Sequence, residues 1–197
     1  MKSHENQRVG VFVDVQNMYH SAKNLHSGNV NFENVLKGAV DARLLVHAFA
    51  YVAASQSGEE GGFVEALNKQ GFYVKMKDLQ VFSGGAKKAD RDVEMAVDTI
   101  KFCDKLDIVV LVTGDGDFVP LVQYLQQKGC VVEVMAFAES SSSRLQEAAD
   151  RFTDLSVDTK RFILGKRRGM IPKVNMDRFN PVRPRTNDHT EVPHEHE

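Results

Sequence analysis

The chain has 197 residues, 42% of them apolar and 26% charged, with a net charge of −2. This suits one soluble domain with a sizeable core, alone or with a tail. No apolar run approaches the roughly 20 residues that cross a bilayer. Met1 to Arg8 is polar and lacks the apolar core of a secretory signal. Cys103 and Cys130 sit in apolar surroundings without metal-like spacing and read as reduced core thiols, so the expected compartment is the cytoplasm.

Val9 to Val13 (VGVFV) is the first short, continuous apolar run, and Arg43 to Val52 (RLLVHAFAYV) is the second. A Gly-rich loop, Ser55 to Gly62, leads into a helical segment at Phe63 to Gln70, then a third run at Phe72 to Met76. Val81 to Asp90 reads as a further loop with Lys87 and Lys88 at its tip. A helix is predicted over Val93 to Asp104, a fourth run at Ile108 to Thr113, and a helix over Phe118 to Lys128 that stops at Gly129. Val131 to Phe137 is the fifth run. Continuous apolar runs suit strands buried on both faces. Their alternation with helices predicts an α/β fold, with a central, mostly parallel sheet of about five strands flanked by helices.

The domain is expected over residues 1–158. Residues 159–197 read as a largely disordered C-terminal tail, basic and then acidic. Lys160 to Arg185 holds nine Lys/Arg and one acid, and residues 186–197 hold four acids and no Lys/Arg. The basic stretch could meet phosphates or simply keep the protein solvated. His189, His194 and His196 crowd the end of the tail and read as part of a polar segment.

In an open α/β sheet, ligands bind beyond the carboxyl ends of the strands. Asp14 follows the first strand, in VFVDVQN, and Asp115 and Asp117 follow the fourth, in LVTGDGDF. Asp92 opens the helix that leads into the fourth strand. Taking Val93, Ala96, Val97 and Ile100 as that helix's apolar face, Asp92 can edge toward the sheet and Asp98 should point to water. Converging carboxylates repel, by roughly 4 kcal/mol per pair at 4 Å and an effective dielectric near 20. A bound cation offsets this, and oxygen-only ligands favour Mg²⁺ or Mn²⁺. Such a site suits phosphodiester hydrolysis, in which metals activate water and stabilise the leaving oxygen. Each acid also has a structural alternative: Asp117 as the cap of the following helix, Asp115 as a turn former, Asp92 as a first-turn acid. Asp14 has little structural purpose on this reading.

Other motifs fit less well. Gly114-Asp115-Gly116 begins like a dinucleotide fingerprint, but Val119 takes the third glycine position. An EF-hand would need a bidentate glutamate where Gln126 stands. Haloacid-dehalogenase phosphatases carry second acids where this chain has Gln16 and Val119.

Taken together, VFVDVQNMY, DVEMAVD and LVTGDGDFVPLVQYLQQKGCVVEV resemble the NYN domain family in its LabA-like (DUF88) branch, over about residues 8–155. That family is similar to the PIN nucleases. The resemblance implies a three-layer, PIN-like Rossmannoid fold and a ribonuclease using Mg²⁺ or Mn²⁺. By motif, Asp14, Asp92, Asp115 and Asp117 would be the ligands, and Asn17 the polar residue that orients water or substrate. Lys87, Lys88 and Arg91 could receive phosphate oxygens at the rim. The family often has a lysine and glycine just before the helix acid, whereas this chain has Lys88-Ala89-Asp90-Arg91. The implied partner is RNA, single-stranded, with no membrane; a homodimer is left open. The alternatives are a non-catalytic RNA-binding or regulatory adaptor on the same fold, and third a phosphatase.

Overall fold

The computed structural model describes residues 5–53, 60–77, 80–81, 87–88 and 92–165. In chain order the elements are β1 (Arg8–Asp14), α1 (Val15–His26), β2 (Asn29–Val30), α2 (Phe32–Val40), β3 (Leu44–Ala53), α3 (Gly61–Lys69), β4 (Tyr73–Lys77), β5 (Gln80–Val81) and β6 (Lys87–Lys88). They continue with α4 (Asp92–Cys103), β7 (Ile108–Val112), α5 (Val119–Gln127), β8 (Val131–Ala136), α6 (Ser143–Ala148), β9 (Arg151–Asp154), α7 (Thr159–Phe162) and β10 (Ile163–Leu164). Among the described residues, no helix is long and apolar enough to cross a membrane.

Six strands form one sheet in the order β4-β3-β1-β7-β8-β9, and every neighbouring pair is parallel. Side chains alternate between the two faces. Val9, Val11 and Val13 join Met18 of α1, Val35 of α2 and Leu67 of α3 in one core. Phe12, Phe49 and Tyr51 join Met95 of α4, Leu125 of α5 and Leu145 of α6 in the other. Both faces are therefore covered, which is why the strands read as unbroken apolar runs.

Five of the six strands match the predicted runs. The sixth, β9, was missed because RFTD is short and half polar, and it pairs only with β8 at the sheet's edge. Lys87 and Lys88 do not form a loop tip; their backbone pairs with Val81 and Gln80 in an antiparallel ladder. The fold also runs past residue 158. Phe162 is buried at 5% exposure, and β10 pairs with β2. Residues 166–197, with His189, His194 and His196, lie outside the described residues.

The sheet order fixes where a ligand would sit. From β1 the chain builds outward through β3 to β4, then returns to lay β7 on the other side of β1. The reversal lies between β1 and β7, the topological switch point of a doubly wound sheet.

Candidate functional site

β1 delivers Asp14 to this switch point. The residue is 8% exposed. Its backbone is extended, at φ −79 and ψ 93, and its Oδ1 accepts the Asn17 backbone N–H at 3.0 Å. Asp14 is thus the N-cap of α1, a structural role the strand-end reading did not foresee; such a cap contributes about 1 kcal/mol. Asn17 in turn accepts the Gly114 N–H on its Oδ1, at 2.9 Å. That bond ties the start of α1 to the loop after β7, across the point where the strand order reverses.

The loop after β7 is held from within. Buried Thr113 accepts the Asp115 N–H on Oγ1 at 3.2 Å, and Asp115 Oδ1 accepts the Asp117 N–H at 2.9 Å. Asp115 therefore caps the 3-10 turn at Gly116–Phe118, while α5 begins without a side-chain cap. The capping considered for Asp117 belongs to its neighbour, and Asp117 itself is exposed. The two glycines are needed for packing. A Cβ on Gly114 would stand 2.7 Å from Ser141 Oγ and 3.1 Å from Ser141 Cα, and one on Gly116 would stand 2.7 Å from Ser142 Oγ. Ser142 N–H also donates to Gly114 O at 2.9 Å, so the serine loop after β8 forms one wall of the site. The run of four serines, 140–143, was the sequence signal for this wall.

α4 corrects the helical-face argument. The side chains it buries are Met95, Asp98, Thr99 and Cys103. Val93, Val97 and Ile100, taken as its inward face, are 60%, 42% and 40% exposed. Asp98, expected to point to water, is 4% exposed. The cause lies beneath the helix. Asp14, Tyr51 and Lys75 occupy one row across β1, β3 and β4. Tyr51 Oη donates to Asp98 Oδ2 at 2.9 Å, and Lys75 Nζ donates to the same oxygen. Lys75 Nζ also lies 3.7 Å from Glu94 Oε1. A polar pair on the sheet draws a polar residue inward, which apolar periodicity does not reveal. Burial, reinforced by the Asp98 carboxylate, pushes the Tyr51 phenol far above its ordinary value. Partial burial pulls the Lys75 ammonium down, but Asp98 and Glu94 outweigh this and raise it. Asp92, half-buried, opens the same helix, which packs on β1 and on the 3-10 turn.

Asp14, Asp115 and Asp117 thus belong to the two loops flanking the switch point, and Asp92 to the helix above them. Among the described residues, no three His, Cys, Asp or Glu side chains stand together as a group that could hold a metal ion. The donors are of the right kind for a hard divalent cation, since every candidate is a carboxylate oxygen. The side chains of Lys87 and Lys88, and all of Arg91, lie outside the described residues.

The chain is 29% identical over 164 residues to the low amplitude and bright protein LabA of Synechococcus elongatus, covering 79% of this chain and 87% of that one. It is 36% identical over 89 residues to an uncharacterized protein of Methanocaldococcus jannaschii, covering 44% of this chain and 33% of the other. A crystal structure of a protein of unknown function from Vibrio parahaemolyticus superposes with a TM-score of 0.75 at 32% identity, covering 83% of this chain and all of that one. The NYN domain profile matches residues 8–156, which take in β1, the Asp115 loop and the whole six-stranded sheet. The chain therefore belongs to the NYN domain family, whose members are typically nucleases.

Proposed function

We propose that the protein is a metal-dependent ribonuclease that hydrolyses phosphodiester bonds of single-stranded RNA in the cytoplasm. The observation that carries this reading is the pair of acids, Asp14 and Asp115, that end β1 and follow β7 at the switch point, joined there by the Asn17–Gly114 bond at 2.9 Å. Asp14, Asp92, Asp115 and Asp117 would hold Mg²⁺ or Mn²⁺. When bound, the cation supplies charge that acidifies water and stabilises the leaving oxygen. The residues themselves supply position. Asp14 and Asp115 each accept a backbone N–H on one oxygen, which fixes both carboxylates. Asn17 sets the spacing of the two loops. Lys87, Lys88 and Arg91 would meet phosphate oxygens.

A non-catalytic RNA-binding adaptor is the second reading. It is favoured by the structural duties of Asp14, Asn17 and Asp115, and by the lack of a ready-made metal-holding group among the described residues. One assay separates the two: labelled single-stranded RNA with wild type, Asp14→Asn and Asp115→Asn, with and without Mn²⁺ or Mg²⁺. Asparagine keeps an acceptor oxygen, so the caps survive. Cleavage should require the cation and fall at least roughly 100-fold in each variant, the upper end of what losing even an outer-shell partner costs. Binding without any cutting would favour the adaptor.

A further inference from the structure

We infer that the groove between the β4 edge and α4 seats a nucleobase of the bound single-stranded RNA, an inference that rests on the ribonuclease reading. The groove has a volume of about 610 Å³. Small-molecule sites span roughly 300–1,000 Å³. Its floor is Phe49, buried at 7% exposure. Phe102 of α4 stacks on that floor at 5.3 Å and 24°, and Tyr73 of β4 meets it edge-on at 5.6 Å and 79°. Among the described residues no ring contact joins Tyr73 to Phe102, so the two rise from Phe49 as separate walls. His47 closes the lower end, 4.4 Å from Phe102.

Tyr73 is 65% exposed on an edge strand. Asp98 and Glu94 account for Lys75 on this strand, but nothing in the packing of the described residues accounts for an exposed aromatic ring beside it. Aromatic faces flanked by cations are the chemistry that recognises unpaired bases, because every base has a π-face and every nucleotide a phosphate. Lys75 lies 5.6 Å from the Phe49 centroid, and exposed Lys101 lines the groove from α4.

The groove adjoins the row of the sheet that ends in Asp14. Asp98 lines its upper end, and Lys75 shares a row of the sheet with Asp14. Two inter-strand spacings separate β1 from β4, or about 10 Å. Buried Tyr51 beneath Asp98 fills the middle of that row, so a bound strand would cross at the carboxyl ends of the strands, with its phosphate near the carboxylates and its base turned into the groove.

The chain contains no tryptophan, so Tyr73→Trp places a single reporter in the groove. In an Asp115→Asn background with Mn²⁺, a short single-stranded RNA of mixed sequence should quench its emission. An abasic oligonucleotide of equal length should not. Tyr73→Ala should weaken RNA affinity at least about fivefold, while Tyr73→Phe keeps it. Unchanged emission with RNA would overturn the assignment, as would equal quenching by the abasic strand. Emission that varies with protein concentration alone would do the same, since a second copy would then cover the groove. Cleavage by wild type that Tyr73→Ala leaves untouched would sink the groove and spare the nuclease. Base-dependent quenching without cleavage would do the reverse.

Discussion

Asp98 shows most clearly how one residue's setting overrides its place in a pattern. It sits 4% exposed, between a phenol and an ammonium that both donate to one of its oxygens. Asp98→Ala would take the shared acceptor from the Tyr51 hydroxyl and leave the Lys75 ammonium to Glu94, 3.7 Å away. Losing one partner of a buried charged pair costs about 3 kcal/mol, measurable by urea denaturation. Asp98→Asn, which keeps an acceptor, should cost clearly less. The same cluster sets an alkaline limit. Tyr51 and Lys75 both hold their protons more tightly when folded than at their ordinary values of 10.0 and 10.5. Their contribution is therefore complete below those values and is lost as pH rises through the folded ones, because the unfolded chain releases its protons first. Urea midpoints should fall as pH rises above 10, and less steeply in Tyr51→Phe. A flat wild-type profile would show that the cluster does not couple to folding. None of this was legible in DVEMAVD, since an amphipathic reading assigns faces by apolarity and cannot see the partner a helix lies on.

At the scale of elements, the strands were legible for a definite reason. Sheets buried on both faces leave runs such as IVVLV, whose burial is complete in β7. The edge strand β9 left no such run. Helix ends were legible where chemistry marked them: α5 stops before Gly129, whose φ of 88 suits glycine. The ties between elements were not legible, because they join residues far apart in sequence. Arg43, beyond the end of α2, donates from Nη1 and Nη2 to the two carboxylate oxygens of Glu133 on β8, at 2.9 and 3.0 Å. The two side chains are 5% and 12% exposed. Arg43 also donates to the carbonyls of Ala39 and Val40 at the end of α2. Glu133→Ala would strand a buried guanidinium and should destabilise the protein by about 3–5 kcal/mol. The exposed pair of Arg8 on β1 with Asp107, just before β7, should matter far less. A urea series that ranks the two pairs equally would contradict this view of the packing.

Over the whole molecule, the candidate site was partly legible because strand-end acids and a doubly wound order locate a ligand crevice without coordinates. What remained hidden was the cap that Asp14 makes, whereas the turn role of Asp115 was legible. Asp14 and Asp115 are helix and turn caps as well as candidate ligands. The described fold extends past residue 158. Phe162 belongs to the core, so a truncation should begin at residue 166. Removing residues 166–197 should leave the urea midpoint unchanged. It should lower the salt dependence of RNA binding, because seven Lys/Arg of the basic stretch lie beyond residue 165. An unchanged salt slope would leave the tail no phosphate contacts. Cation-dependent chemistry at the switch point is tested by single-turnover cleavage of labelled single-stranded RNA as Mn²⁺ is titrated. The wild-type rate should rise from zero and saturate with Mn²⁺, and the rate of Asp115→Asn, with its fold intact, should be at least roughly 100-fold lower. Equal rates in the two proteins, or cleavage that persists in excess chelator, would contradict it.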